Sequence, residues 1–149
     1  MARPTKWQNA IQRIDDVFSG ANSLDKLFAG LDDTLADGFS DNFDSRSDDS
    51  GAAWPAHAPS TVKRYGPHPL LELSGRMRRA ATNPSDPEHL SERVGDTLRS
   101  GVKGTIKYAI FHQVGTSKMP RRQFIYATTK TILKLKEKIR LGVKAAMRV

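Results

Sequence analysis

The sequence predicts an α+β protein in which a small antiparallel sheet packs with helices and a long basic helix ends the chain. Apolar residues recur at helical spacing near both ends, while short segments punctuated by glycine lie between them. The chain has 149 residues, of which 38% are hydrophobic, and this is enough for one buried core. We therefore expect one domain with three parts: an N-terminal helical hairpin (1–40), an acidic flexible loop (41–53) and an α+β core (54–149).

Two apolar stripes predict the N-terminal hairpin. The first has spacings of four, three and four residues and consists of Trp7, Ile11, Ile14 and Phe18. Gly20 stops this helix, and Ser23 is a candidate N-cap for the next one. The second stripe consists of Leu24, Leu27, Phe28, Leu31, Leu35 and Phe39. Both helices are amphipathic, and we expect the hairpin to pack on the core, with a neighbouring subunit as the alternative.

The middle of the chain predicts short elements. Residues 40–53 are acidic and nearly lack large apolar side chains, which indicates a flexible loop. Residues 60–66 allow one short helical turn. Leu70, Leu73 and Met77 share a helical face, in a helix that the Ser74-Gly75 pair weakens. In residues 89–107, single apolar residues sit among polar ones and are punctuated by glycines, which predicts two or three short antiparallel strands.

Residues 108–124, here called the bend segment, are the most distinctive stretch. Tyr108, Phe111 and Val114 recur every three residues, which predicts a short buried helical face. Gly115 would end this helix and Pro120 would prevent its renewal. The bend segment is therefore expected to turn sharply and to anchor its far end through Phe124.

A long amphipathic helix is predicted from Phe124 or Tyr126 to about Met147. Its apolar stripe consists of Ile125, Thr128, Ile132, Leu135, Ile139 and Val143. Lysines and arginines occupy the other faces, with only Glu137 in opposition. We take three of these lysines as candidates to face DNA or a protein partner: Lys130, Lys134 and Lys138.

No catalytic, cofactor or metal site is expected. Cysteine is absent, and the four histidines show no metal-ligand spacing. Phosphate-binding, dinucleotide-binding and nucleophile-elbow motifs are also missing. His112 is expected to be a hydrogen-bonded core or interface histidine. Without a long apolar run, no membrane partner is expected either.

The charge of the chain is unevenly distributed. Residues 1–60 contain five Lys and Arg against ten Asp and Glu, whereas residues 61–149 contain nineteen against six. Opposite patches suit head-to-tail contacts between copies, which close into rings or continue as filaments. The basic half equally suits sequence-independent contact with nucleic-acid phosphates. A nucleic-acid-binding protein is therefore the alternative to an assembly protein.

Three patches in order resemble the Mu-type virion morphogenesis and tail-completion proteins of tailed bacteriophages. The first is Trp54-Pro55 with a following Thr61, and the second covers residues 69–77 with Ser74-Gly75. The third and most specific patch reads Tyr-Ala-x-x-His-Gln-x-Gly followed by Pro-x-Arg-x-Phe. Its matching residues, which we take as the candidate assembly site together with Arg121, are Tyr108, His112, Gln113, Gly115, Pro120, Arg122 and Phe124.

The resemblance implies a structural protein without enzymatic activity. It would assemble in the host bacterial cytoplasm and reside in the virion, at the head-proximal end of the tail or in the neck. Its expected partners are further copies in a ring, for which six copies is one arrangement, and other neck or tail proteins. Packaged DNA is a further expected neighbour, because such a ring surrounds the DNA channel.

Overall fold

The computed structural model describes residues 21–95 and 97–146 and has the predicted α+β class. Five helices and two strands follow one another in the described part of the chain. They are α1 (Ala21–Ser45), α2 (Pro59–Tyr65), α3 (Arg76–Thr82), β1 (His89–Val94), β2 (Thr97–Val102), α4 (Ala109–Val114) and α5 (Thr129–Ala146). The strands pair antiparallel, with His89 opposite Val102 and Val94 opposite Thr97. The first helix of the predicted hairpin lies outside the described residues.

Helix α1 extends further than the sequence suggests. It continues through Ser45, so the first five residues of the predicted loop 41–53 are helical. Phe43 explains the extension, because it follows Phe39 by one helical turn and is only 1% exposed. Burial of this ring outweighs the weak helix propensity of the surrounding Ser, Asp and Asn residues.

The rest of the predicted flexible loop is a hydrogen-bonded turn. The Asp48 carboxylate accepts bonds from the backbone N–H groups of Ser50 and Ala52. A bridge between Ser47 and Ala53 closes the turn. The Ser50 hydroxyl also donates a hydrogen bond to the Asp48 carboxylate. This bond, together with the two backbone bonds, lowers the pKa of Asp48. Asp48 of this acidic segment therefore stabilises a turn by accepting hydrogen bonds from its neighbours.

The core lies between α1, α3, the start of α4 and the chain that precedes α5. Phe43 meets Trp54 edge-on, with ring centroids 5.9 Å apart, and also contacts Phe124. The other fully packed members are Met77, Ala80, Ala81, Ile106 and Ala109. The core thus joins residues that lie between positions 43 and 124 of the chain.

Helix α3 begins later than predicted. Residues 70–75 are not helical, and Gly75 precedes the helix with φ of 68°. This left-handed conformation favours glycine and breaks the helical pattern that the leucines suggest. Leu73 is consequently 57% exposed, while Met77 is buried as expected.

Helix α5 begins at Thr129, several residues after the predicted start. The Thr128 hydroxyl accepts a hydrogen bond from the backbone N–H of Thr131, the geometry of an N-cap. The buried face also differs from the predicted stripe, because Thr131 is 2% exposed while Ile132 and Ile139 are more than 40% exposed. One edge of the apolar stripe therefore packs on α1 and the other edge faces outward.

Two glycines of α1 lie near α5, and the helices approach differently at each. A Cβ added at Gly38 would lie 2.6 Å from the Thr131 hydroxyl oxygen. The Lys138 ammonium donates a hydrogen bond to the Gly30 carbonyl. A Cβ added at Gly30 would lie 3.7 Å from the Lys138 ammonium nitrogen. The helices are thus in contact at Gly38 and leave ordinary space at Gly30.

This difference gives opposite expectations for the same substitution. Gly38→Ala should lower the free energy of unfolding by about 1–3 kcal/mol, because the new methyl group overpacks the helix contact. Gly30→Ala should raise it by about 0.5–1 kcal/mol, because alanine is the better helix former. Urea unfolding followed by circular dichroism measures both. Equal effects of the two substitutions would contradict the close contact at Gly38.

The opposite charges of the two halves meet within the chain. Three ion pairs join aspartates of α1 to basic residues of the second half: Asp25 with Arg93, Asp41 with Lys130, and Asp44 with Arg78. The uneven charge therefore supports intramolecular packing, which weakens it as an argument for head-to-tail assembly.

Candidate assembly site

Helix α4 turns the predicted buried face outward. Gly115 ends the helix with φ of 76°, as the sequence predicts. However, Tyr108, Phe111 and Val114 are 39%, 47% and 59% exposed. The buried member of this helix is Ala109, whose small side chain lets the backbone lie directly on the core. The prediction of a buried aromatic face is therefore wrong.

Residues 122–126 form an extended stretch without helix or strand, here called the clamped segment. Side chains from three other parts of the chain bind its backbone, since no neighbouring strand does so. Buried backbone groups require such partners, because leaving them unpaired costs folding free energy. These side chains therefore act as a substitute for a β-ladder.

Gln113 makes the largest contribution to the clamped segment. Its side-chain oxygen accepts from the N–H groups of Phe124 and Ile125, at 3.1 and 3.0 Å. Its side-chain nitrogen donates to the Ile125 carbonyl at 2.8 Å. One amide group therefore satisfies three backbone groups and connects α4 to the clamped segment.

Asn42 and Trp54 hold the opposite side of the segment. The Asn42 amide donates to the carbonyls of Phe124 and Tyr126, and it reaches them from the end of α1. The Trp54 indole N–H donates to the Gln123 carbonyl. Trp54 belongs to the first resembling patch, whereas Asn42 was assigned to a loop and no local sequence signal identifies its role.

The turn between α4 and the clamped segment depends on Gly115. A Cβ at this position would lie 2.9 Å from the Arg121 backbone nitrogen, and the positive φ adds strain for any other residue. A bridge between Thr116 and Met119 closes the loop, and Pro120 follows it. The Arg122 N–H then donates to the His112 carbonyl. The structure thus brings the candidate residues into one continuous bend.

The two adjacent arginines have different environments. Arg122 is 6% exposed and donates from Nε and Nη2 to the carbonyls of Pro55 and Ala56. Arg121 is exposed, hydrogen bonds to Gln123, and lies 3.6 Å from Asp49. Arg122 therefore braces the fold, while Arg121 is accessible to a neighbouring molecule.

His112 is half-buried but is not satisfied in the way that the sequence suggests. Its ring packs edge-on to Tyr108, with centroids 6.3 Å apart. Its Nδ1 atom is buried and has no hydrogen-bond partner among the described residues. Burial, followed by the positive charges of Arg122 and His57, lowers the pKa of His112. The expected hydrogen-bonded histidine is instead a desolvated ring with a free nitrogen.

The three candidate lysines of α5 do not form one free surface. Lys130 pairs with Asp41, and Lys138 donates to the Gly30 carbonyl. Lys134 is exposed and has no ion pair within the described chain. Of the predicted set, Lys134 is thus the residue most available to DNA or to an acidic partner.

Sequence reasoning also missed a buried polar pair outside the bend. The His89 ring lies between the Ala80 carbonyl, 2.7 Å from Nδ1, and both Asp32 carboxylate oxygens, 3.2 Å from Nε2. The His89 side chain is 1% exposed and the Asp32 side chain 6%. In the sequence, Asp32 and Asp33 form an adjacent acidic pair on an amphipathic helix, a pattern that is most simply interpreted as a solvated face. In the described residues, no histidine or carboxylate cluster has a geometry that could hold a metal ion.

The fold and the site define a small α+β protein with a side-chain-clamped bend beside a helix whose apolar face is exposed. No helix within the described residues is both long and apolar enough to cross a bilayer. Comparison with known proteins finds no matching family model, curated protein or solved structure. The assignment of a function therefore depends on the residues and geometry of this chain.

Proposed function

We propose that this chain is a structural virion protein of a tailed bacteriophage. It assembles as a ring at the head-proximal end of the tail or in the neck, and it joins tail to head around the DNA channel. The observation that carries the proposal is the exposed apolar face of α4. This face belongs to the same segment as the most specific patch of the phage resemblance.

The α4 face has the properties of a contact surface between proteins. Tyr108, Ile110, Phe111 and Val114 are all at least 39% exposed. Residues three or four positions apart are neighbours on a helix, so these side chains form one continuous patch. Contiguous apolar patches on a soluble protein mark interaction sites. Aromatic residues are also enriched in such interfaces.

The clamp beneath α4 makes this patch rigid. Gln113 lies on the same helix and binds the clamped segment, while Ala109 packs in the core. A rigid surface loses little conformational entropy when a partner binds. The candidate assembly site therefore has two parts. Gln113, Gly115, Arg122 and Phe124 hold the bend, and the exposed apolar residues of α4 contact the next subunit.

The patch can be tested on purified protein. Phe111→Ser should shift the chain from oligomer to monomer, because it removes an aromatic contact from the interface. Leu141→Ser is the matched control, since Leu141 is 49% exposed on α5 while Phe111 is 47% exposed. Light scattering after size-exclusion chromatography measures the mass, and circular dichroism confirms folding. An unchanged oligomer in Phe111→Ser would contradict an α4 interface.

The virion role is tested in a phage that encodes this chain. Disruption of the chain should leave heads and tails that fail to join, or tails of faulty length, in the lysate. Electron microscopy of purified wild-type particles should locate the chain in the neck or at the upper end of the tail. Intact infectious particles made without the chain would exclude the proposed function.

The alternative function is sequence-independent nucleic-acid binding outside the virion. The exposed lysines of α5 favour it, because Lys134, Lys136 and Lys144 lack ion pairs within the described residues. This function requires salt-sensitive DNA binding by the monomer and no copies in purified particles. Copies in the particle, with no DNA binding by the monomer, would exclude it.

A further inference from the structure

A cavity of about 490 Å³ lies between α2, the start of α3, α4 and the loop after Gly115. Three histidines that are far apart in the sequence line it: His57, His68 and His112. Lys118 and Arg122 complete the polar wall. None of the described lining residues is acidic. The cavity therefore has basic and neutral groups around a space large enough for a small molecule.

The guanidinium of Arg122 lacks a negative partner in this wall. Arg122 as a whole residue is 6% exposed, and its guanidinium binds the neutral carbonyls of Pro55 and Ala56. Within the described chain, no carboxylate forms an ion pair with it. A buried charge without a counter-charge is costly, because the protein does not replace the hydration that the charge has lost.

The histidine rings contribute further polar atoms that lack hydrogen-bond partners among the described residues. The Nε2 atom of His57 and the Nδ1 atom of His112 are buried, and neither has a hydrogen-bond partner among the described residues. The His57 ring stacks on His68, with centroids 4.2 Å apart. Each imidazole becomes a donor at both nitrogens when it is protonated. Protonation would therefore add positive charge beside Arg122.

We infer that this cavity binds a small oxyanion, a carboxylate or a phosphate, through the buried Arg122 and the neighbouring histidines. Oxygen atoms of such an anion accept charge-assisted hydrogen bonds from guanidinium and imidazolium groups. The anion also supplies the negative charge that the cavity wall lacks. A cation would instead meet the repulsion of Arg122 and Lys118.

Binding of an anion should change how His112 titrates. Burial and the positive charges of Arg122 and His57 hold its pKa below the usual value. A negative charge in the cavity favours the imidazolium form, so the anion should raise the pKa of His112. By linkage, affinity should increase as the pH falls through this titration. The other titratable or charged groups around the cavity are Tyr65, His68, Tyr108, Lys118 and Arg122.

The test follows the histidine ring nitrogens by NMR in full-length, nitrogen-15-labelled protein. Inorganic phosphate and acetate are titrated separately against chloride at equal ionic strength. We expect saturable shifts at His57 and His112, and a higher pKa of His112 at saturation. Acetate serves for the pH series, because a carboxylate stays ionised where imidazole titrates. A response to phosphate alone assigns a phosphate ligand, and a response to acetate alone assigns a carboxylate such as an acidic side chain.

Two matched substitutions separate the cavity from the general surface charge. Lys118→Met removes a charge at the cavity, and Lys134→Met removes one from α5; both lysines are exposed, so the fold is retained. Lys118→Met should weaken binding roughly two- to fivefold, whereas Lys134→Met should leave it unchanged. Equal weakening by the two substitutions would mean adventitious ions only, and absence of saturable shifts with both anions would equally overturn the inference.

Discussion

Replacing Asp32 with alanine should lower the free energy of unfolding by about 1–3 kcal/mol, the usual cost of leaving a buried hydrogen-bonding group without its partner. Asp32 reaches the His89 ring with both carboxylate oxygens, and the Ala80 carbonyl accepts from the opposite side of that ring. Without Asp32, the Nε2 atom of His89 has no partner in a site with almost no solvent access. Urea unfolding at neutral pH measures the loss.

Asp33 provides the control for this experiment. It is adjacent in sequence, exposed, and forms no ion pair within the described residues. Asp33→Ala should therefore change stability by less than about 0.5 kcal/mol. The pair itself is tested by a double-mutant cycle, in which His89→Ala should cost much less when Asp32 is already absent. Additive losses would show that the two side chains do not act as a pair.

Replacing Gln113 with alanine should cost about 3 kcal/mol, because three backbone groups of the clamped segment lose their partner at once. The affected groups are the N–H groups of Phe124 and Ile125 and the Ile125 carbonyl. Local hydrogen exchange should also increase at these two amides, which makes the effect distinguishable from a general loss of stability.

Gln123 is the matched control for Gln113. It is the same residue type ten positions later, and within the described residues its side chain binds only the exposed Arg121. Gln123→Ala should change stability by less than about 0.5 kcal/mol, since its own backbone carbonyl still accepts from Trp54. Similar losses for the two glutamines would contradict the role of Gln113 as a clamp.

These effects bear on the phage proposal because clamp and contact surface are separate parts of one bend. Substitutions at Gln113 should reduce stability, whereas Phe111→Ser should reduce assembly and leave the monomer folded. The distinction could not be made from the resembling motif, which contains both buried and exposed residues. Solvent exposure in the structure separates them.

Part of the candidate site could be predicted from the sequence. The resemblance selected Gln113, Gly115, Arg122 and Phe124, which the structure brings together in one bend. It did not indicate Asn42, whose amide holds a backbone carbonyl 82 residues away. Such a contact leaves no local pattern, because asparagine in a polar stretch equally suits a loop.

The sequence by itself determined the α+β class, the existence of the two long helices, and the end of α4 at Gly115. These features follow from local rules, namely the period of apolar residues and the backbone freedom of glycine. Only the tertiary structure decided which faces are buried. Phe43 extended α1 because its ring fills the core, and the backbone of α4 packed through Ala109, so its aromatic face turned outward. The Asp32–His89 pair spans 57 residues and likewise depends on where α1 packs against the rest of the chain. Burial and long-range pairing depend on contacts between residues that are distant in the sequence, and a local pattern carries no information about such contacts.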